Sequence, residues 1–385
     1  MSTGINTKLV HSGEKPDPET GAIAPVLIRT KTFAQPGIFE KAKWQYSRCA
    51  NPTRSILENK IVDLCGGGYC ATYGTGDAAT TMFLLTLNPG DHILFCHEVY
   101  GGTYRLVNDL FNRFGIESSF VNFNDKKAVK RAVRKNTKYL FVETPTNPSL
   151  SIVDLRIVQK LSKELGIPYV ADLTFSPPNT LNGFDYDAEI IIYSLSKYFG
   201  GHNDALGGAL VTRNKKLYDK FAFMQWSVGA VLSPDESYRI IQELKTLTFR
   251  WEKASQNAYE IASWLHRHKM IRKVNYPGLR SHPGHLTAKR QNVGGYGSVV
   301  SFDLKKSDKR YLKSFVNRAT KDKLIVFGES LASPETILAH PSSMSHRSVS
   351  DEDKARLGIT DGFFRLSAGF EDTKDIIRVL DQALS

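Results

Sequence analysis

Short apolar runs separated by helix-length stretches dominate the chain from residue 56 to about residue 215. HILFC (92–96), IESSFV (116–121), YLFVE (139–143), PYVA (168–171), EIIIYS (189–194) and GGALVT (207–212) read as strands. Most are apolar on both faces, the pattern of strands covered by helices on two sides. Their alternation with helical segments predicts an α/β architecture with a mostly parallel sheet. Between two of the runs, DKKAVKRAVRKNTK (125–138) sets basic residues opposite Ala128, Val129, Ala132 and Val133 at helical spacing, predicting an amphipathic helix with a solvated basic side. Further on, Pro234 through His268 reads as a long helical region. VVSFDL (299–304) and FFRLS (363–367) read as strands and 372–384 as a terminal helix, together a smaller α+β unit.

The first fifty or so residues break this rhythm. Gly13, Pro16, Pro18, Gly21, Pro25, Pro36 and Gly37 punctuate them too densely for a regular element, which predicts an extended arm suited to lying on a partner subunit. The expected organisation is an arm over 1–55, a large unit over 56–235 and a C-terminal unit over 236–385. At roughly 150 residues per domain, 385 residues accommodate this division.

Composition narrows the class. Hydrophobic residues at 41% and charged residues at 23% suit a chain that buries a large core, not a disordered one. No apolar run approaches the roughly 20 residues that span a bilayer, and MSTGINTKLVHSGEKPDPETG lacks a signal-like apolar core, so a cytoplasmic protein is expected. The four cysteines include no C-x-x-C pair and no zinc spacing, so reduced thiols are expected. His282 with His285, and His340 with His346, lie among prolines without acidic ligands, which favours turn or packing roles over a metal. The formal charge of +12 could attract polyanions, but the basic helix lacks aromatic interleaving and no binding module accompanies it; neither nucleic acid nor membrane is the expected partner.

Three places could carry chemistry. In SLSKYFGGHNDALGG (194–208), Lys197 follows an apolar strand beside Ser194, Ser196 and a Gly-rich turn. A lysine there could form a Schiff base while its neighbours hold a phosphate, and a surface lysine would read the same way. Asp172 directly follows PYVA, at the strand ends where open α/β sheets bind ligands; it could pair with a protonated pyridine nitrogen or simply cap a helix. In YGTGDAAT (73–80) the amides of Gly76 and Asp77 open a helix and could meet a phosphate, or form an ordinary helix start.

Together these segments resemble the Cys/Met metabolism family of pyridoxal phosphate (PLP) enzymes, which includes cystathionine γ-synthase, cystathionine γ-lyase, cystathionine β-lyase and methionine γ-lyase. The resemblance runs nearly end to end, through YSRCANPTR (46–54), VYGGTYR (99–105), VETPTNP (142–148), ADLTFSPP (171–178), LKTLTFR (244–250), ESLASPET (329–336), HPSSMSH (340–346) and GITDGFFRLSAGFED (358–372). It implies an aminotransferase-like (fold type I) PLP-binding large domain, a smaller α+β C-terminal domain and a homotetramer built from active dimers. It makes Lys197 the Schiff-base lysine and Asp172 the partner of the ring nitrogen. Tyr100 would stack on the ring and assist as acid or base, and Asn147 would contact the ring hydroxyl. Gly76, Asp77, Ser194 and Ser196 would bind phosphate, with Tyr46 and Arg48 reaching it from the neighbouring subunit. Arg365 would clamp the substrate α-carboxylate in a bidentate pair, helped by Ser330.

Within the family, Glu329 before Ser330-Leu331 and Arg105 after the Y-G-G-T segment resemble the γ-acting cystathionine enzymes, where they would meet distal charges of the substrate. Gly101 and Gly102 after Tyr100 depart from the methionine γ-lyase pattern, and Tyr46-Ser47-Arg48 departs from the usual β-lyase arm. The implied activity is γ-elimination or γ-replacement in transsulfuration, lyase and synthase being left open; a specialised γ-replacement enzyme, or a non-catalytic binding protein that retains the fold, are the alternatives. Gln45, Asp77, Leu173, Gln242-Glu243 and Ala332-Ser333 differ from the family pattern, which bears on the substrate pocket more than on the cofactor.

Overall fold

All residues of β2 (His92–Cys96), β5 (Tyr169–Asp172) and β7 (Gly208–Thr212) are buried, as strands covered on both faces must be. The computed structural model describes residues 3–347 and 350–385. With β1 (Tyr69–Tyr73), β3 (Glu117–Val121), β4 (Thr137–Glu143) and β6 (Ile190–Ser194), these strands form a seven-stranded sheet in the order β1-β7-β6-β5-β4-β2-β3. Pairing is parallel from β3 through β6, and β7 runs antiparallel to both β6 and β1. The segment joining β6 to β7 contains no helix, and without a crossover helix the chain returns in the opposite sense.

The order places β2 between β3 and β4, so the chain leaves β2 to one side and returns on the other. Such a reversal opens a crevice at the C-terminal ends of the parallel strands. Glu143, Asp172 and Ser194 are the last residues of β4, β5 and β6. The sheet therefore delivers them to one edge.

A second sheet, ordered β10-β11-β12-β9-β8, is formed by β8 (Ile271–Asn275), β9 (Val299–Leu304), β10 (Ile325–Phe327), β11 (Thr336–Ala339) and β12 (Phe363–Ser367). Only β10 and β11 pair in parallel. It has its own core around Phe302, Phe315 and Phe364, the last two rings lying edge to face at 5.0 Å. The helix Leu247–Arg267 serves both cores: Leu247 and Trp251 pack in the first, Ala258, Ile261 and Leu265 in the second. The architecture is mixed α/β throughout, the two-unit arrangement that the resemblance leads one to expect.

Several elements differ from their expected form. The basic segment is helical only over Lys126–Ala132; the Arg134 amide donates to Thr137 Oγ1 at 2.8 Å, and this turn leads straight into β4. The long helical region divides into Pro234–Leu244 and Leu247–Arg267. The arm begins with a short helix, Ile5–His11, held by the buried Leu9 and by Lys60, whose ammonium donates to Leu9 O at 2.8 Å. Beyond it the arm is irregular as far as Pro52 and exposes Ile23, Ile38 and Phe39. The paired histidines make turn contacts: His282 Nδ1 accepts from the Gly284 amide at 3.0 Å, and His340 meets Ser343 Oγ at 2.8 Å. Among the described residues no helix is long and apolar enough to cross a membrane.

Candidate active site

A cavity of about 440 Å³ lies over the C-terminal ends of β4, β5 and β6. Its wall contains Gly76, Asp77, Tyr100, Asn147, Asp172, Ser194, Ser196, Lys197, Glu329, Ser330 and Arg365. Residues from both sheets thus converge on one space. Tyr46, Arg48 and Arg105 are not in this wall. Tyr46 and Arg48 lie on the exposed arm, the guanidinium 5.4 Å from the tyrosine ring centroid, and Arg105 ends the helix Gly101–Arg105.

Lys197 Nζ donates to Ser330 Oγ at 3.1 Å. Burial first, then the positive charge of Arg365, brings its pKa down to about 8. A measurable fraction of the amine is therefore neutral near physiological pH. The backbone after Lys197 is pinned from behind by the buried Arg250, which donates to Tyr198 O at 2.9 Å and Glu243 O at 2.7 Å. Gly201, at φ 80°, leaves room for that guanidinium.

The carboxylate of Asp172 is 8% exposed and accepts the Thr174 amide at 3.0 Å. Burial raises its pKa to about 6, with the Thr174 hydrogen bonds opposing. Glu143, pushed well up by burial and then by Asp172, accepts the amides of Tyr100 at 2.7 Å and Asn147 at 2.8 Å, and so ties the ends of β2 and β4 together. Burial, followed by the charge of Asp77, raises the Tyr100 phenol.

The helix Gly76–Leu84 points its N-terminus at the cavity. Its first amides have no partner within the helix, and its dipole favours an anion. Gly76 is required by contact: a Cβ there would stand 2.9 Å from that of Ser194. The Ser194 amide is held by Thr174 Oγ1 at 2.9 Å. The Ser196 hydroxyl is already engaged with Gly207, donating to its carbonyl at 3.3 Å and accepting its amide at 3.0 Å.

Arg365, in β12, is 4% exposed. Its Nη1 donates to Asn147 Oδ1 and its Nη2 to Ser330 O, both at 2.8 Å, while Nε has no partner among the described residues. Burial lowers its pKa to about 10, so it stays cationic. Ser330 and Ala332 both have positive φ, 97° and 64°, a region that costs non-glycine residues about 1–3 kcal/mol. The loop is retained in this shape by Arg365 on Ser330 O and by Ser367 Oγ, which accepts the Ala332 amide at 3.0 Å.

The sequence profile of the family described as Cys/Met metabolism PLP-dependent enzymes matches residues 6–385. The chain belongs to that family. It is 40% identical to a cystathionine β-lyase of Coxiella burnetii (strain RSA 493 / Nine Mile phase I), over 99% of this chain and 97% of that one. It is 38% identical to the cystathionine γ-lyase of Bacillus subtilis (strain 168), over 98% of each. The crystal structure of cystathionine γ-synthase from Xanthomonas oryzae pv. oryzae with aminoacrylate and cysteine superposes with a TM-score of 0.95 at 33% identity, covering 100% of this chain and 98% of that one. Relatives with three different reactions stand at similar distances, so overall identity does not choose among them.

The cavity fits the cofactor that names the family. It offers an amine of lowered pKa, a desolvated carboxylate holding one amide, a helix N-terminus with a glycine-tight approach, and a buried guanidinium with an unused donor. Glu143, Thr174 and Arg250 were not singled out in the sequence, although all three stand inside family motifs. Each acts on backbone many residues away, which a linear pattern does not reveal.

Proposed function

We propose that this family member is a PLP-dependent enzyme acting at the γ-carbon of a sulfur amino acid or acylated homoserine, by elimination (cystathionine γ-lyase type) or replacement (cystathionine γ-synthase type). The observation that carries the reading is Arg365 Nε, a buried cationic donor without a partner in the cavity shared by Lys197 and Asp172. A buried donor left unmade is costly, and a substrate carboxylate would satisfy it.

PLP, when bound, supplies the electron sink that lets an amino acid lose its α-proton. Lys197 would hold its aldehyde carbon and Asp172 its ring nitrogen. Tyr100 would lie against the ring, and Asn147, whose Oδ1 is taken by Arg365, has an amide donor left for the ring hydroxyl. Gly76, Asp77 and Ser194 would bind the phosphate, with Ser196 contributing less because its hydroxyl is engaged by Gly207. Arg365 and Ser330 would then fix the substrate by its α-carboxylate. Lys197, which shares the cavity wall with Arg365 and has a lowered pKa, would be the base that moves protons at Cα and at Cβ. Loss of the β-proton is what allows a substituent on the γ-carbon to leave. Tyr100 would assist as acid or base, and Glu329 with Arg105 would meet the distal end.

Tyr46 and Arg48 would complete the phosphate site of a neighbouring copy in a homotetramer of active dimers. Their position on an exposed arm, outside the chain's own cavity wall, supports that reading.

The test supplies cystathionine alone, then O-acylhomoserine with cysteine. Cysteine with 2-oxobutyrate from the first, or cystathionine from the second, is expected. Homocysteine with pyruvate would assign β-cleavage instead, an outcome that the 40% identity to a β-lyase keeps in view. A non-catalytic binding protein would consume neither.

A further inference from the structure

With the cofactor and the α-carboxylate assigned as above, and Glu143 taken up by the amides of Tyr100 and Asn147, the charged side chains without a role in holding them are Asp77 and Glu329 in the cavity wall and Arg105 beside it. Asp77 is the odd member. Helix starts favour a carboxylate in the first turn, but the cap of this helix is already made by Thr75, whose Oγ1 accepts the Ala78 amide at 3.0 Å. The Asp77 carboxylate turns away from that role. Its oxygens lie 2.7 and 2.8 Å from where a Cβ of residue 102 would stand, so it occupies the space that Gly102 leaves beside the Tyr100 ring. Among the described residues it makes no hydrogen bond or ion pair; Arg105 and Lys197 act on it only through space.

The charge count then decides what would complement it. With Lys197 committed to the cofactor and Arg365 to the substrate carboxylate, the two remaining carboxylates, Asp77 and Glu329, face a single remaining guanidinium, Arg105, and Asp77 is half-shielded from water. A phosphate on the neighbouring amides would deepen that negative potential. Arg365 Nε, buried and without a partner among the described residues, independently marks the place of the α-carboxylate, which leaves the opposite end of the substrate to the rest of the wall, where Asp77 and Glu329 stand.

We propose that Asp77 is a specificity-determining residue for the elimination reaction, which selects thioether substrates whose side chain ends in a cation, an ammonium or a guanidinium-type group, over thioethers ending in a neutral or anionic group. The inference rests on the proposed γ-acting function. It gives Asp77 a second part: the amide serves the phosphate, the carboxylate reads the substrate. It also accounts for the pairing of Asp77 with Gly102, since any side chain at 102 would displace the carboxylate.

The test uses the holoenzyme and three thioethers of homocysteine that differ in the distal group: aminopropyl, butyl and carboxyethyl. In wild type, kcat/KM for the aminopropyl substrate exceeds that for the butyl one by about tenfold or more, the worth of a charge-assisted hydrogen bond, and the carboxyethyl substrate is poorest. Asp77→Asn lowers the aminopropyl-to-butyl ratio about tenfold, mainly through KM, and Asp77→Glu recovers part of it. An unchanged ratio in Asp77→Asn, or equal losses on both substrates, overturns the inference. Cofactor content, read from visible absorption, separates the two layers: a variant with full cofactor and an unchanged ratio overturns this inference alone, whereas a wild type that binds no PLP overturns the proposed function and this inference with it.

Discussion

Two cavities open between the same two sheets, and the larger is not the one proposed to carry the chemistry. The larger, about 520 Å³, is lined by His97, Asn124, Asp154, Lys273, His282 and Asp303 among others. Many of its polar groups are already partnered. Asn124 donates to Ile152 O at 2.8 Å and accepts the Asp154 amide at 3.2 Å, Asp154 pairs with Arg290, and Asp303 Oδ1 accepts from Thr360 Oγ1 at 2.8 Å. In the smaller cavity, among the described residues, Arg365 Nε and the Asp77 carboxylate have no partner and Asp172 holds one residue's amide. Unmet charge marks a binding site better than volume does, because a fold tolerates an unsatisfied buried group chiefly where a ligand will satisfy it.

That contrast can be broken by substitution. Lys197→Ala is expected to lower kcat by about a thousandfold or more, since it removes both the anchor and the base, as read by steady-state turnover of cystathionine. Asp172→Asn should cost about a hundredfold in kcat by leaving the ring nitrogen without its anionic partner, with bound cofactor retained in the visible spectrum. Arg365→Lys should raise KM about tenfold and move kcat less, because a point charge cannot reproduce the bidentate pair.

pH sharpens the same comparison. Lys197 has its pKa lowered from 10.5 to about 8, so the neutral amine that captures an aldehyde prevails above that pH. Below it, the rate at which cofactor-free protein takes up PLP should fall about tenfold per pH unit; above it the rate should level off. A rate still climbing well beyond pH 8 would show an ordinary, solvated lysine. The smallest effect belongs to the other cavity: Lys273→Ala should change kcat/KM by less than about twofold, and a larger loss would give that cleft a part in the reaction.

The parts of the fold that follow from local pattern were legible in the sequence. HILFC, YLFVE and EIIIYS are apolar on both faces, and each is a strand of the large sheet. The elements that escaped carry a weaker local signal. Tyr69–Tyr73 mixes small and aromatic residues, Ile271–Asn275 has two exposed basic residues at its centre, and Ile325–Phe327 is three residues long with two exposed. Lys197, Asp172 and Arg365 stood out through their motifs. What no motif carries is the use of a side chain across the fold: Glu143 gathers amides from β4's own end and from beyond β2, Asn147 is oriented by an arginine 218 positions away, and the direction of the Asp77 carboxylate depends on an absent side chain at 102.

The central claim is that one amine, Lys197, carries the cofactor. Purified protein incubated with PLP and reduced with borohydride should yield a single pyridoxyl-labelled peptide, the one containing Lys197, when its fragments are mapped by mass. Label on another lysine, or no label at all, would contradict the account.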